Sequence, residues 1–250
     1  MIDPTWKDGL QTEPLLGCFV TFASPANCEF TAEIGFDFTL IDNEHGLMHD
    51  ETLENMVRAS QAADCPSIVR TPFNQPDYIR RALDFGANGI QVPLVNDVAD
   101  AHKVVKASHF PPFGERGVAF QTRPARYGMV SDKAAYLRDA DRAKLVAVHV
   151  ETVEAVDRLD ALLEVEGIDV YFVGRKRLGK SPLTQREGRC RLGRDTGEVM
   201  GEATGGLAAA VGFLLEEPAD HCAERGWHRR YELRERGRLA RQNVSPVPTR

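Results

Sequence analysis

The sequence lacks the features that mark exported, membrane-embedded and nucleic-acid-binding proteins. Its longest nearly apolar run, residues 205–215, stops at two glutamates and is too short to cross a bilayer. The first eight residues include Asp3 and Pro4 and no apolar core, so a signal peptide is not expected. A net charge of −6 offers no excess of positive charge for a phosphate backbone. We therefore expect a cytoplasmic protein that acts on small molecules, with no nucleic-acid and no membrane partner.

Cysteine is scarce, and its spacing argues against a disulfide framework. The chain has five Cys, an odd number, and no Cys-x-x-Cys pair. Such wide spacing is typical of reduced, structural thiols and not of a zinc site. The cysteines are Cys18, Cys28, Cys65, Cys190 and Cys222.

Residues 16–174 alternate short apolar runs with amphipathic helical patterns, the pattern of repeated βα units. Asp50 is expected to cap the helix after the second strand, and Gly86 to end the next helix. At least six units precede residue 175, and 250 residues suit one barrel of eight units. We therefore predict an α/β protein with a TIM-type (β/α)8 barrel, whose chemistry lies at the carboxyl ends of its strands. The predicted strands are Leu16–Phe22, Phe36–Ile41, Ser67–Thr71, Gly89–Leu94, Lys144–Glu151 and Ile168–Gly174.

The strongest local signal directly follows the second predicted strand. Asp42, Glu44 and His45 place two carboxylates and an imidazole just past a buried strand. A histidine beside carboxylates can act as a general base near neutral pH, and the carboxylates can orient metal-bound water. The alternative is a polar loop with a capping aspartate.

Polar residues also end two other predicted strands. Arg70 closes the third strand, where either a substrate carboxylate or an internal aspartate would balance its charge. Glu151 ends the fifth strand, and a hard cation such as Mg²⁺ or Mn²⁺ takes oxygen ligands of this kind. His149, two residues earlier, is expected on the same side of that strand.

A long glycine- and arginine-rich segment covers residues 111–117 and 123–128. It falls where barrels place substrate loops, and its arginines are suited to a second anionic group. Subunit contacts and ordinary surface charge are the alternatives for these arginines.

Together with these sites, a series of ordered motifs resembles the HpcH/HpaI aldolase family over residues 16–174. Its members are metal-dependent (class II) pyruvate aldolases that act on 4-hydroxy-2-oxo acids and 2-keto-3-deoxy sugar acids. The motifs are Gly17-x-Phe19, Asp42-x-Glu44-His45, Val69-Arg70-x-Pro72, Leu83-Asp84-x-Gly86-Ala87, Val92-Pro93, Pro111-Pro112-x-Gly114-x-Arg116-Gly117, Val150-Glu151-Thr152 and Gly167-Ile168-Asp169-x-x-Phe172-Val173-Gly174.

The resemblance implies a lyase that cleaves a 4-hydroxy-2-oxo acid, such as 4-hydroxy-2-oxoheptanedioate or a 2-keto-3-deoxy sugar acid, to pyruvate and an aldehyde. It also implies a divalent metal (Mg²⁺, Mn²⁺ or Co²⁺) and a homo-oligomer, usually a hexamer built from dimers. No lysine ends a predicted strand, consistent with chemistry that needs no Schiff base.

The resemblance further implies roles for individual residues. Glu151 is the expected metal ligand, and Arg70 is expected to hold pyruvate and its enolate. His45, paired with Asp84, is the implied acid/base, and Asp42 supports the associated water network.

Two further residues are implied to bind substrate. Arg123 is similar to an arginine that meets the far carboxylate of longer substrates. His149 stands where the family often has glutamine and is expected to form a polar wall of the site.

The resemblance ends abruptly after residue 174. The family's second metal-binding carboxylate is an aspartate, but Arg177 stands in its place here. Residues 175–250 contain 14 Arg, against 10 in residues 1–174. We therefore divide the chain into a barrel core, 1–174, and a divergent segment, 175–250, which we interpret as a frame-shifted or replaced tail. A catalytically impaired barrel that serves as a binding or assembly subunit is the alternative function.

Residues Gly174 to Ser181 also satisfy the GxxxxGK[ST] pattern of a phosphate-binding P-loop. The context is unfavourable, because Pro182 and Gly188 would interrupt the helix that such a loop requires. A nucleotide-binding protein is thus a further, weaker alternative.

Overall fold

The computed structural model describes residues 6–7 and 15–173. All six predicted strands are confirmed, with ends shifted by a few residues. They are parallel and lie in the order of the sequence, each paired with the next along the chain. The strands are Gly17–Val20 (β1), Phe38–Asp42 (β2), Ser67–Arg70 (β3), Gly89–Val92 (β4), Leu145–Val150 (β5) and Val170–Val173 (β6).

Helices connect the strands and alternate with them along the chain. The predicted cap at Asp50 is wrong by one position: His49 occupies the cap, and Asp50 begins the helix. No helix of the described residues has the length and apolar character needed to cross a membrane. The helices are Pro25–Glu33 (α1), Asp50–Ala62 (α2), Pro76–Asp84 (α3), Val98–Ser108 (α4), Lys133–Ala143 (α5), Val153–Asp157 (α6) and Leu159–Leu163 (α7).

The sheet is buried on both faces, since successive side chains of a strand point to opposite sides. The outer face packs against the helices, and this core includes Ile41, Val69, Ile90, Val146, Met56, Val57 and Ile79. The inner face carries a second apolar cluster, formed by Phe38, Leu40, Ile68, Leu145, Ala147 and Val170. A curled parallel sheet with helices outside and its own apolar interior is a TIM-like α/β arrangement.

Several predictions concern residues outside the described part of the chain. These are the boundary at residue 174, the interpretation of residues 175–250, the position of Arg177 and the P-loop pattern. Closure of the barrel by a seventh and an eighth unit stays a prediction for the same reason.

A half-buried polar cluster lies at the N-terminal edge of the sheet, where the strands begin. The His109 ring meets Phe113 edge-on at 4.8 Å between centroids, and its Nε2 lies 3.3 Å from the Gly167 carbonyl oxygen. Its Nδ1 is 3.9 Å from Asp141 Oδ1, which also accepts a hydrogen bond from Lys144 Nζ. Burial, together with the charge of Lys144, lowers the pKa of His109 to about 4.

This lowered pKa predicts a loss of stability in mild acid. Between pH 6.5 and pH 4 the unfolded chain binds a proton at His109 that the folded chain excludes, so the free energy of unfolding falls as the pH falls. We expect a loss of about 2 kcal/mol between pH 7 and pH 4.5, measured by urea unfolding at several pH values.

His109→Gln keeps a donor for the Gly167 carbonyl and is expected to remove most of this loss. His102→Gln, on the exposed side of α4, is the matched control and is expected to leave it unchanged. An equal pH dependence in wild type and His109→Gln would contradict the prediction. The lowered pKa of Asp42 cannot mimic the effect, because its contribution is lost only below about pH 4.

Candidate active site

An ion pair between the buried Asp42 and the half-buried Arg70 joins the carboxyl ends of β2 and β3. Asp42 and Arg70 are register partners on these strands, and Arg70 binds both carboxylate oxygens. Its Nε and Nη2 donate to Oδ1 and Oδ2 at 2.9 and 2.6 Å. Of the two partners predicted for Arg70, the structure therefore contains the internal aspartate.

Asp42 also organises the turn that follows β2. Its Oδ1 accepts hydrogen bonds from the backbone N–H groups of Glu44 and His45, both at 3.1 Å. Burial alone would raise the pKa of Asp42, but the hydrogen bonds and charge of Arg70 and the two backbone donors hold it below its ordinary value. The Asp42 carboxylate therefore caps the turn and also forms the ion pair with Arg70.

Arg70 has two further neighbours at this edge. Its Nη1 lies 3.2 Å from Glu44 Oε2, and its guanidinium carbon lies 4.9 Å from the centroid of the Phe19 ring. His45 is 62% exposed at the mouth, with Nε2 3.8 Å from Glu44 Oε1. Glu44 and Phe19 both belong to the sequence motifs, but their contacts with Arg70 were not predicted.

A second buried pair lies at the end of β5. Glu151 Oε1 accepts a hydrogen bond from the Leu94 N–H at 3.0 Å, and its Oε2 lies 3.6 Å from His149 Nδ1. The predicted placement of His149 on the same side as Glu151 is therefore confirmed. The imidazole stacks on Phe172, with 4.8 Å between centroids and 26° between planes.

Leu94 was not predicted at the site. It adopts a φ of 58°, in the left-handed region that non-glycine residues rarely occupy. This conformation accompanies the hydrogen bond from its N–H to Glu151. Its position directly after Val92-Pro93 at the end of β4 is the sequence signal that marks it.

The two pairs differ in what they can bind. Arg70 already contacts both Asp42 and Glu44, and its positive charge beside these carboxylates opposes the binding of a metal cation there. Glu151 and His149 offer a carboxylate oxygen and an imidazole nitrogen side by side, both suitable donors for a divalent metal. Within residues 6–7 and 15–173, no group of three or more His, Cys, Asp or Glu side chains is arranged to hold a metal ion.

Asp84 is placed away from His45 within one chain. It ends α3, which runs from the C-terminal edge of the sheet back to the start of β4, so it lies at the N-terminal edge. There its Oδ1 accepts a hydrogen bond from Arg116 Nη2 at 2.8 Å. The implied pairing of His45 with Asp84 is therefore not made inside the single chain.

Arg123 lies at the same N-terminal edge as Asp84. Its Nη1 donates to the Gln61 side chain near the end of α2, and it lies against Gly86. Within the single chain this arginine-rich segment therefore does not line the mouth of its own barrel, and substrate binding by Arg123 stays a prediction. The reason is that α4 returns the chain to the N-terminal edge before the segment begins.

The fold and the polar strand ends define a TIM-like α/β protein with its candidate site at the C-terminal edge. The family model described as HpcH/HpaI aldolase/citrate lyase matches residues 15–188. The chain belongs to this family.

Named relatives agree with the family assignment. The chain is 35% identical over 171 residues to a 4-hydroxy-2-oxo-heptane-1,7-dioate aldolase from Salmonella arizonae, a match that covers 68% of this chain but only 64% of that enzyme. It is 34% identical over 212 residues to a 4-hydroxy-2-oxovalerate aldolase from Novosphingobium aromaticivorans, covering 83% and 76% of the two chains.

A solved structure is similar in fold and sequence. It is an HpcH/HpaI aldolase/citrate lyase family protein from Burkholderia cenocepacia, with a TM-score of 0.66 and 32% identity over 74% of this chain and 77% of the other. The family model itself continues 14 residues past the motif that ends at Gly174. These comparisons identify an aldolase/lyase family.

Proposed function

We propose that this chain is a class II pyruvate aldolase that cleaves a 4-hydroxy-2-oxo acid to pyruvate and an aldehyde. The observation that carries the proposal is that the half-buried, carboxylate-bound Arg70 and the buried Glu151 lie at the same edge of one sheet. The relatives named 4-hydroxy-2-oxo acid aldolases support this substrate class.

Arg70 is suited to hold the 2-oxo acid and its enolate. Its contacts with Asp42 and Glu44 use three of the five N–H groups of a guanidinium, which leaves two donors for substrate oxygens. The two carboxylates and the Phe19 ring fix the plane of the guanidinium in advance. Such preorganised donors stabilise the negative charge that develops on the keto oxygen as the enolate forms.

His45 is the proposed acid/base. Its exposed position beside Glu44 allows it to take the proton of the substrate 4-hydroxyl group. The electrons of that O–H bond form the aldehyde carbonyl, the C3–C4 bond breaks, and its electrons form the pyruvate enolate. A proton then adds to C3 and gives pyruvate.

Glu151 and His149 are the described residues that would hold a divalent cation. The buried imidazole and carboxylate fit such a group, because neither His149 nitrogen has a hydrogen-bond partner among the described residues. When bound, a Mg²⁺, Mn²⁺ or Co²⁺ ion supplies Lewis-acid polarisation of the keto acid.

Asp84 and Arg123 require a second copy of the chain if they act in this chemistry. Both lie at the edge of the sheet opposite to His45, so only a neighbouring subunit could bring them to the mouth. We accordingly propose a homo-oligomer as the active form.

The test is deuterium exchange into the methyl group of pyruvate, followed by NMR in deuterated water. It requires no knowledge of the aldehyde. We expect exchange that depends on added Mg²⁺ or Mn²⁺ and that is lost in His45→Ala, since the same base must move the proton at C3. Absence of exchange from a folded wild-type chain would contradict the proposal and favour a non-catalytic binding or assembly subunit.

A further inference from the structure

His149 is a buried imidazole whose two ring nitrogens make no hydrogen bond within the described part of the chain. It is 2% exposed at the end of β5, and neither Nδ1 nor Nε2 has a hydrogen-bond partner among the residues that the structure describes. A neutral imidazole carries one donor and one acceptor on these atoms, and an imidazolium carries two donors. Burial without partners is therefore unfavourable. Such a group indicates a ligand that satisfies it.

The orientation of the His149 ring and its distance from Glu151 indicate that this ligand is a metal ion. Stacking on Phe172 fixes the ring plane, and the 3.6 Å from Nδ1 to Glu151 Oε2 is too long for a good hydrogen bond. Two donor atoms that share one cation through bonds of about 2.0–2.2 Å stand roughly 3.0–3.4 Å apart. The observed separation is close to that value.

A second buried polar group without a partner among the described residues lies on the neighbouring strand. Gln91 is 2% exposed on the inner face of β4, and its Oε1 has no hydrogen-bond partner among the described residues. Gln91 is the register partner of Ala147, two residues before His149 on the neighbouring strand. Metal-bound histidines usually donate their second N–H to a carbonyl or a water, and the Gln91 side chain carries an amide oxygen that can accept such a bond.

We propose that His149 and Glu151 together ligate the divalent metal, so that this site contains one nitrogen and one carboxylate ligand from the described part of the chain. The inference rests on the proposed metal-dependent function. It assigns His149 a role different from the polar wall that the family resemblance implies. It also supplies a neutral second ligand in a chain whose sequence has Arg177 where a carboxylate is expected.

Mixed nitrogen and oxygen ligation changes metal preference. Imidazole nitrogen favours Co²⁺ and Zn²⁺, whereas Mg²⁺ prefers oxygen ligands. We therefore expect the wild-type chain to bind Co²⁺ about 100-fold more tightly than Mg²⁺.

The direct test is pulsed EPR of Mn²⁺ bound to the untagged chain of 250 residues. We expect a nitrogen coupling to the metal that changes when histidine is labelled with ¹⁵N. The coupling should be absent in His149→Gln and retained in His109→Gln, which alters a half-buried histidine that meets a phenylalanine edge-on. The wild-type spectrum needs no variant, so misfolding of His149→Gln would not weaken the test.

Binding of the metals alone provides the second measurement. By calorimetry, His149→Gln should weaken Co²⁺ binding by about 30-fold or more and Mg²⁺ binding by about threefold or less. Bound Mn²⁺ without nitrogen coupling, with Co²⁺ affinity unchanged in His149→Gln, would overturn the inference.

The inference and the proposed function fail in different ways. Metal-dependent pyruvate exchange without nitrogen coupling would leave the aldolase proposal standing and remove His149 as a ligand. Nitrogen coupling without exchange would support the ligand and contradict the catalytic proposal. No metal binding by the folded wild-type chain would contradict both.

Discussion

Arg70→Met is expected to slow pyruvate exchange at least about 100-fold and to lower the free energy of unfolding by about 3 kcal/mol or more. The loss of activity follows because Met supplies no donor to the developing enolate, and removal of such a donor costs about 10²–10³-fold in rate. The loss of stability follows because the variant leaves the carboxylate of Asp42 buried without its cation.

The two effects of Arg70 can be separated with a second substitution. In Asp42→Asn/Arg70→Met the buried charge is gone, so urea unfolding should recover part of the lost stability while the exchange measured by NMR stays slow. Arg80→Met is the matched control, since Arg80 forms an exposed ion pair with Asp77 on α3 and should change stability by about 0.5 kcal/mol or less. Exchange at the wild-type rate in a folded Arg70→Met chain would exclude Arg70 from the chemistry.

The strands were predictable because burial on both faces leaves a continuous apolar run in the sequence. Ser67–Arg70 and Leu145–Val150 are examples, and each is found within two residues of its predicted ends. Two helices were missed for the opposite reason. α1 buries only Cys28 and Thr31, and α5 buries no residue, so neither shows an apolar face in the sequence.

The sequence was sufficient to predict where the site residues lie in the fold, but not which residues they contact. A polar residue at the end of a buried strand must lie at the C-terminal edge, and this rule located Arg70 and Glu151. The partner of Arg70 depends on the register of β2 against β3, which the sequence does not reveal. Asp84 was assigned to His45 by motif resemblance, although a residue at the end of α3 must lie at the other edge.

The tight turn after β2 gives Gly46→Ala the second large expected effect. The Gly46 N–H donates to the Asp42 carbonyl oxygen at 3.1 Å. A Cβ at Gly46 would stand 2.2 Å from that oxygen and 2.9 Å from the Thr21 carbonyl oxygen. Because both contacts are with backbone, the turn must move. We expect the free energy of unfolding to fall by about 2 kcal/mol or more and pyruvate exchange to fall at least about 100-fold.

The reason for the activity loss is that the same turn carries Glu44 and His45, whose N–H groups are held by the Asp42 carboxylate. A shift of the turn therefore moves the proposed base and loosens a contact of Arg70 at the same time. Leu47→Ala is the matched control, because the neighbouring Leu47 side chain is 95% exposed and should leave urea unfolding unchanged. If Gly46→Ala unfolded like wild type and retained full exchange, the turn would be adaptable, and the geometry of Asp42, Glu44 and His45 could not be what positions the chemistry.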